Sequence, residues 1–158
     1  IRIYNPPLSS LLYVKGTHME HQRLADFNEL LKVELLPLER LRPHEEFCLK
    51  NYEYWLTQVK EQQHWTNPIL VDSEHNIIMD GHHRYQIALH LKLKYIPCIL
   101  ISYSNQFLKV SNYTDGNQMD SEQIIDTVCC GRLMSKKSTR HCLAYQLPQV
   151  KIPLEILQ

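Results

Sequence analysis

The chain lacks long apolar runs, a charge excess and the spaced glycines or cysteines of the commoner site motifs. No stretch approaches the about 20 consecutive apolar residues that cross a bilayer. No charged start leads into a short apolar segment with a small-residue cleavage site. Both absences point to a cytoplasmic protein with no membrane partner. Lys+Arg and Asp+Glu both number 17, for a formal net charge of zero. That balance argues against nucleic acid as the main partner, although a local basic patch is compatible with it. Only four glycines occur, and none opens a G-x-x-x-x-G-K-[ST] loop, which excludes a Walker A phosphate site. Five cysteines leave at least one unpaired, none forms a C-x-x-C pair, and Cys129 and Cys130 are adjacent. This is reducing, cytosolic usage rather than a disulfide framework. Nine histidines are present, but neither H-E-x-x-H nor a Cys/His finger spacing is, so zinc is disfavoured.

What is present is a chain of 158 residues, 44% hydrophobic and 22% charged, in the range of soluble globular proteins. Residues 17–31 predict a helix, with Leu24, Phe27, Leu30 and Leu31 at helical spacing. Val33 to Leu36 suits a strand that Pro37 confines to an edge or an end. Residues 51–63 predict an amphipathic helix carrying Tyr52, Trp55, Leu56 and Val59 on one face. Ile69 to Val71 and Ile77 to Met79, joined by a polar turn, predict a hairpin. A helix is expected over 82–93, with Tyr85, Ala88, Leu89 and Leu93 along one side, then a strand over 95–101. Residues 102–117 read as a polar loop, and 121–130 as a helix capped by Ser121 and ended by Gly131. A basic segment, 132–141, is followed by 146–157, whose strand character is interrupted by Pro148 and Pro153. Alternating strands and helices predict an α/β domain with a mixed sheet over residues 32–158. Residues 1–31 would be an N-terminal helical extension, within which His18-Met19 is a candidate fusion junction.

The stretch DGHHRY, residues 80–85, sits between the second hairpin strand and the next helix. A helix start leaves N–H groups unpaired and carries partial positive charge, a natural anion site. Gly81 lets the backbone turn and a ligand approach closely. His82, His83 and Arg84 add donors, Arg84 with a fork suited to phosphate. Asp80 could hold Mg²⁺ with a phosphate, because hard cations prefer oxygen ligands. The bland alternative is that Asp80 caps the helix while the basic groups are solvated. Two further places could converge here. RPHEEF, residues 42–47, follows a proline with two carboxylates, either of which could accept a hydroxyl proton. KKSTRH, residues 136–141, concentrates lysines, hydroxyls, an arginine and a histidine able to clamp phosphate or a carboxylate. Each alone equally describes a solvated charged loop. Phe47, Trp55 and Trp65 are candidate pocket or core aromatics.

Taken in order, LPLERLRPHEE, NPILVD, IIMDGHHRYQIAL and YIPCILI resemble the ParB/sulfiredoxin-like fold, and within it most nearly the free L-serine kinases. Those share a proline-histidine-glutamate loop, a D-G-H-H-R helix start and a late K-[ST]-T-R-H segment before a P-L strand. Here these are Pro43-His44-Glu45, Asp80 to Arg84, Lys137 to His141, and Pro153-Leu154. The likeness runs from about residue 33 to 157. It implies phosphoryl transfer from ADP or ATP, with Mg²⁺ as cofactor, to the hydroxyl of free L-serine, giving O-phospho-L-serine. It also implies roles. Glu45 would be the general base, ahead of Glu46. Asp80 would support Mg²⁺ and the moving phosphate. Gly81, His82, His83, Arg84 and Lys137 would hold nucleotide phosphates, and Thr139, Arg140 and His141 the serine or the phosphoryl group. The donor stays open, because adenine recognition has no readable signature, and so does the oligomeric state. Sulfiredoxins place a cysteine where His82 stands. ParB partition proteins carry a G-E-R-R-type motif and a following helix-turn-helix, for which too little helical sequence remains after Ile101. A non-catalytic nucleotide-binding regulator or a ParB-like DNA-associated protein is the alternative.

Overall fold

The computed structural model describes residues 31–158. The expected extension over residues 1–31, with its helix, falls outside the described residues except for Leu31. The strands are β1 (Val33–Pro37), β2 (Arg42–Pro43), β3 (His64–Trp65), β4 (Ile69–Asp72), β5 (Ile77–Asp80), β6 (Tyr95–Ile101), β7 (Leu108–Asn112), β8 (Thr139–Leu143) and β9 (Ile152–Pro153). The helices are α1 (Leu49–Gln62), α2 (His82–His90) and α3 (Ser121–Cys129).

A five-stranded sheet of order β1-β6-β4-β5-β2 is the frame. β1 runs antiparallel to β6, β6 parallel to β4, β4 antiparallel to β5, and β5 parallel to β2. The sheet is mixed, as expected. Pro37 ends the edge strand β1, where its missing N–H costs no ladder bond. β4 and β5 form the expected hairpin. Asp72 Oδ2 accepts the His75 N–H at 2.7 Å, and Asn76 closes the turn at φ +56°. One core packs behind this sheet, from Leu36, Ile69, Val71, Ile78, Ile87 and Ile96. Each such side chain contributes about 1.5–3 kcal/mol by leaving water.

Several local expectations need correction. α2 ends at His90, three residues early, because Lys92 takes φ +54° and turns the chain into β6. Ile87 is buried on α2 and Leu89 is exposed. On α1, Tyr52, Leu56 and Val59 pack on the core, while Trp55 stays half in water. The cap of α3 is Asp120, whose carboxylate accepts the Glu122 N–H at 3.0 Å, rather than Ser121. The polar loop after β6 contains β7, and the basic segment ends in β8. The two pair antiparallel from Leu108↔Leu143 to Asn112↔Thr139. Only Ile152–Pro153 of the last stretch is strand, paired with β3, and Leu154–Leu157 is a 3-10 turn. Trp65 belongs to the core, and Phe47 lies between the rings of Tyr52 and His83. Among the described residues no helix is long and apolar enough to cross a membrane.

Candidate active site

Three segments meet at one end of the sheet: the loop after β2, the start of α2 and the start of β8. α2 begins at Gly81, with φ +110°. A Cβ there would overlap the Ile69 side chain and come within 2.8 Å of its Cβ. Only glycine fits, on conformation and on space. No side chain caps this helix, so its first N–H groups and partial positive charge stay available for an anion.

His82 and His83 point apart. His82 is buried, and its Nε2 accepts the His44 backbone N–H at 3.3 Å. His83 Nε2 lies 2.9 Å from the Cys48 carbonyl oxygen. Arg84 spends its fork on the protein. It donates to the carbonyl oxygens of Asn67, at 3.2 Å, and Pro68, and to Asp80 Oδ2 at 2.8 Å. The expected phosphate fork is thus, in the described structure, a clamp that joins the helix start to β4 and holds Asp80 in place.

The loop after β2 is stitched to the segment before β8. Met134 N–H donates to the His44 carbonyl at 2.8 Å, and Glu46 N–H to the Met134 carbonyl at 3.0 Å. Lys137 takes φ +57°, which turns the next amides towards Glu45. Glu45 Oε2 accepts from Ser138 N–H at 3.2 Å and Thr139 N–H at 3.4 Å. Burial raises the Glu45 pKa, and these amides oppose the rise. Glu46 is exposed, so the two carboxylates are separated by environment and Glu45 alone faces inward.

Strand alternation divides the last motif. Thr139 and His141 face the site, while Arg140 faces away, its guanidinium 5.0 Å over the Tyr113 ring with Lys137 Nζ 6.0 Å from the same ring. The structure therefore gathers Glu45, His82, Thr139 and His141 around His44, holds Asp80, Gly81 and His83 at the adjoining start of α2, and leaves the Lys137 and Arg140 side chains on the outer face.

Two residues had no assigned role from sequence. His44, fully buried, contacts the Ile78 carbonyl oxygen and Thr139 Oγ1, each at 2.6 Å. Tyr103 lies 3.2 Å from His141 Nε2. His44 stood inside a recognised motif; Tyr103 had no signal, being one aromatic in a polar stretch. The His44 ring meets His82 at 4.6 Å and His141 at 5.2 Å between centroids. Burial keeps this trio neutral. It lowers the His44 pKa to about 4, that of His141 to about 3, and that of His82 well below its ordinary value.

Among the described residues no three His, Cys, Asp or Glu side chains form a ready metal cage. Mg²⁺ does not need one. It is commonly held by one or two carboxylates plus phosphate oxygens and water. Asp80 fits that use, since Arg84 takes only its Oδ2.

No protein-family profile matches the chain. The ParB-like nuclease domain-containing protein YnaK of Escherichia coli (strain K12) is 35% identical over 78 residues, 48% of this chain and 88% of that protein. The chain belongs to the ParB-like domain family. Two L-serine kinases are more distant. An ATP-dependent enzyme of Desulfurococcus mucosus is 26% identical over 58% of this chain, and the ADP-dependent SerK of Thermococcus kodakarensis 23% over 58%. The chain spans about two fifths of the length of three of the curated relatives it matches, these kinases among them. A solved free serine kinase in complex with AMP superposes with a TM-score of 0.73 at 14% identity, over 81% of this chain and 94% of that one. This ParB-like chain therefore has the ParB/sulfiredoxin-like α/β fold, shared with the free serine kinases.

Proposed function

We propose that the protein is a kinase that moves a phosphoryl group from ADP or ATP to the hydroxyl of free L-serine, giving O-phospho-L-serine. One observation supports the reading: Glu45, its proton affinity raised by burial, follows His44, whose N–H donates to His82 in the uncapped first turn of α2. Phosphoryl transfer is largely positioning and charge neutralisation, and this site offers means for both. Glu45 takes the proton of the serine hydroxyl as its oxygen attacks the terminal phosphorus. The first turn of α2, with Gly81, His82 and His83, receives the nucleotide phosphates. Asp80, steadied by Arg84, would hold Mg²⁺, whose charge would offset that of the phosphate oxygens. Thr139 and His141 line the serine side. Lys137 and Arg140, on the outer face, draw the anionic nucleotide in by their field. Relatives named for each donor support leaving ADP and ATP both open.

Serine-dependent nucleotide consumption, measured in wild type and Glu45→Gln, tests this. Loss of a general base lowers turnover by about 10²–10⁴-fold, while nucleotide affinity stays within a few-fold. Undiminished turnover in Glu45→Gln would remove the base from the account. A second reading, a ParB-like DNA-associated protein, draws on the higher identity to the ParB-like YnaK than to either named kinase. DNA binding with no serine-dependent turnover is its signature.

A further inference from the structure

His44 is wholly shut off from solvent, yet the reaction proposed above gives it no task. Its ring makes two short contacts. Nδ1 lies 2.6 Å from the Ile78 carbonyl oxygen and Nε2 lies 2.6 Å from Thr139 Oγ1. A carbonyl oxygen only accepts, so Nδ1 carries the ring proton. The ring is neutral, because burial disfavours its charged form, and a neutral imidazole protonated on Nδ1 has a bare Nε2. The Thr139 hydroxyl therefore donates to Nε2. Glu45 Oε2 is also near that hydroxyl, at 3.4 Å. One hydroxyl has one proton, and the much shorter contact takes it. The Ile78 carbonyl, acting through His44, thus dictates where the Thr139 O–H points.

The direction of that proton decides what Thr139 can bind. Turned to His44, it leaves only oxygen lone pairs facing the site. Beside them stands the Glu45 carboxylate, which only accepts while ionised. The nearest donors, the N–H groups of Ser138 and Thr139 and the Ser138 hydroxyl, are already directed at Glu45 Oε2. A phosphoryl oxygen entering this corner would meet acceptors. An ammonium would meet complementary partners, and a charged donor makes the stronger hydrogen bond.

We infer that His44 is a positioning residue that fixes Thr139 as an acceptor, and that Thr139 with Glu45 forms an acceptor-only corner for the ammonium of the amino-acid substrate. The inference rests on the serine-kinase reading and sharpens it. It gives Thr139 to the amino acid rather than to the moving phosphoryl group, and it explains why the acceptor is a free amino acid. Glu45 faces both the hydroxyl it deprotonates and the ammonium beside it. Thr139 supplies the second acceptor.

Because His44 is fully enclosed, its replacement endangers the fold, and the test falls on Thr139. Thr139→Ser keeps the hydroxyl, while Thr139→Val removes it at equal volume. The loss of one hydrogen bond to a charged group predicts a KM for L-serine raised roughly ten- to a hundred-fold in Thr139→Val. The KM for nucleotide should stay within about three-fold, and Thr139→Ser should lie near wild type. With 3-hydroxypropanoate, which lacks the amino group, Thr139→Val should change little, because the partner of the lost oxygen is gone. Nitrogen-15 NMR of the histidine rings gives a readout free of turnover: an unprotonated His44 Nε2 whose resonance moves in Thr139→Val and not in Thr139→Ser. A protonated Nε2 overturns the inference. So does an unchanged serine KM in folded Thr139→Val, or an equal loss with 3-hydroxypropanoate. Wild type that does not turn over L-serine would instead end the kinase reading. The ring resonance and a calorimetric titration of L-serine into wild type and Thr139→Val would then decide the inference by themselves.

Discussion

Three histidine rings, His44, His82 and His141, share one buried pocket, and this makes the fold sensitive to acid. The ordinary histidine value is 6.5, and burial takes His44 to about 4 and His141 to about 3. Between those values the unfolded chain binds protons that the folded chain refuses. Stability from such groups is present above pH 6.5 and is lost as pH falls towards 4. Each histidine contributes up to about 1.4 kcal/mol per pH unit in that window. Glu45 works the other way, since its raised pKa gives stability below its ordinary 4.5 that is lost as pH rises through the folded value. Three histidines against one carboxylate set the sign. Urea midpoints should fall steadily from pH 7 to pH 5, and a flat or rising midpoint would show that the rings are not held neutral. At this scale the sequence was readable as an inventory and poorly as directions. Glu45 and His82 both lie against His44, and Asp80 and Gly81 sit at the start of the same helix as His82. Arg84 and Arg140 do not present their donors to the site. Carbonyl oxygens of Asn67 and Pro68 capture one, and strand alternation turns the other outward. Neither competitor shows in a list of side chains.

The element that sets the site is the junction of β5 and α2. Its glycine is a steric requirement, since both φ and the Ile69 side chain exclude a Cβ. Gly81→Ala should cost more than about 1 kcal/mol from conformation alone, with overlap added. A Tm lower by at least about 3 °C follows, and an unchanged Tm would mean that the junction adopts a different backbone. Elements built from neighbouring residues were legible: the hairpin, the long β6 and all three described helices. β7 and β8 were not, because Leu108 pairs with Leu143 across a helix, and polar and basic residues on their outer positions mask the alternation. Trp55 misled for a related reason. Helical spacing names a face but not how wide the buried part of that face is.

At the scale of the whole molecule, the five-stranded sheet places the Pro43–Glu46 loop and the start of α2 side by side, through the parallel pairing of β2 with β5. The β7–β8 sheet then presents Thr139 to that loop, at His44 and Glu45. The order of three motifs along the chain was legible as a likeness, and the family and fold agree with it. Function follows less directly, because one fold hosts several activities. The most direct measurement is phosphorus NMR of the purified protein with Mg²⁺ and L-serine, offering ADP and ATP in separate samples. An O-phospho-L-serine resonance is expected with at least one donor, lost on chelation of Mg²⁺ and in Glu45→Gln. Folded protein that binds nucleotide yet yields no such resonance with either donor would contradict it.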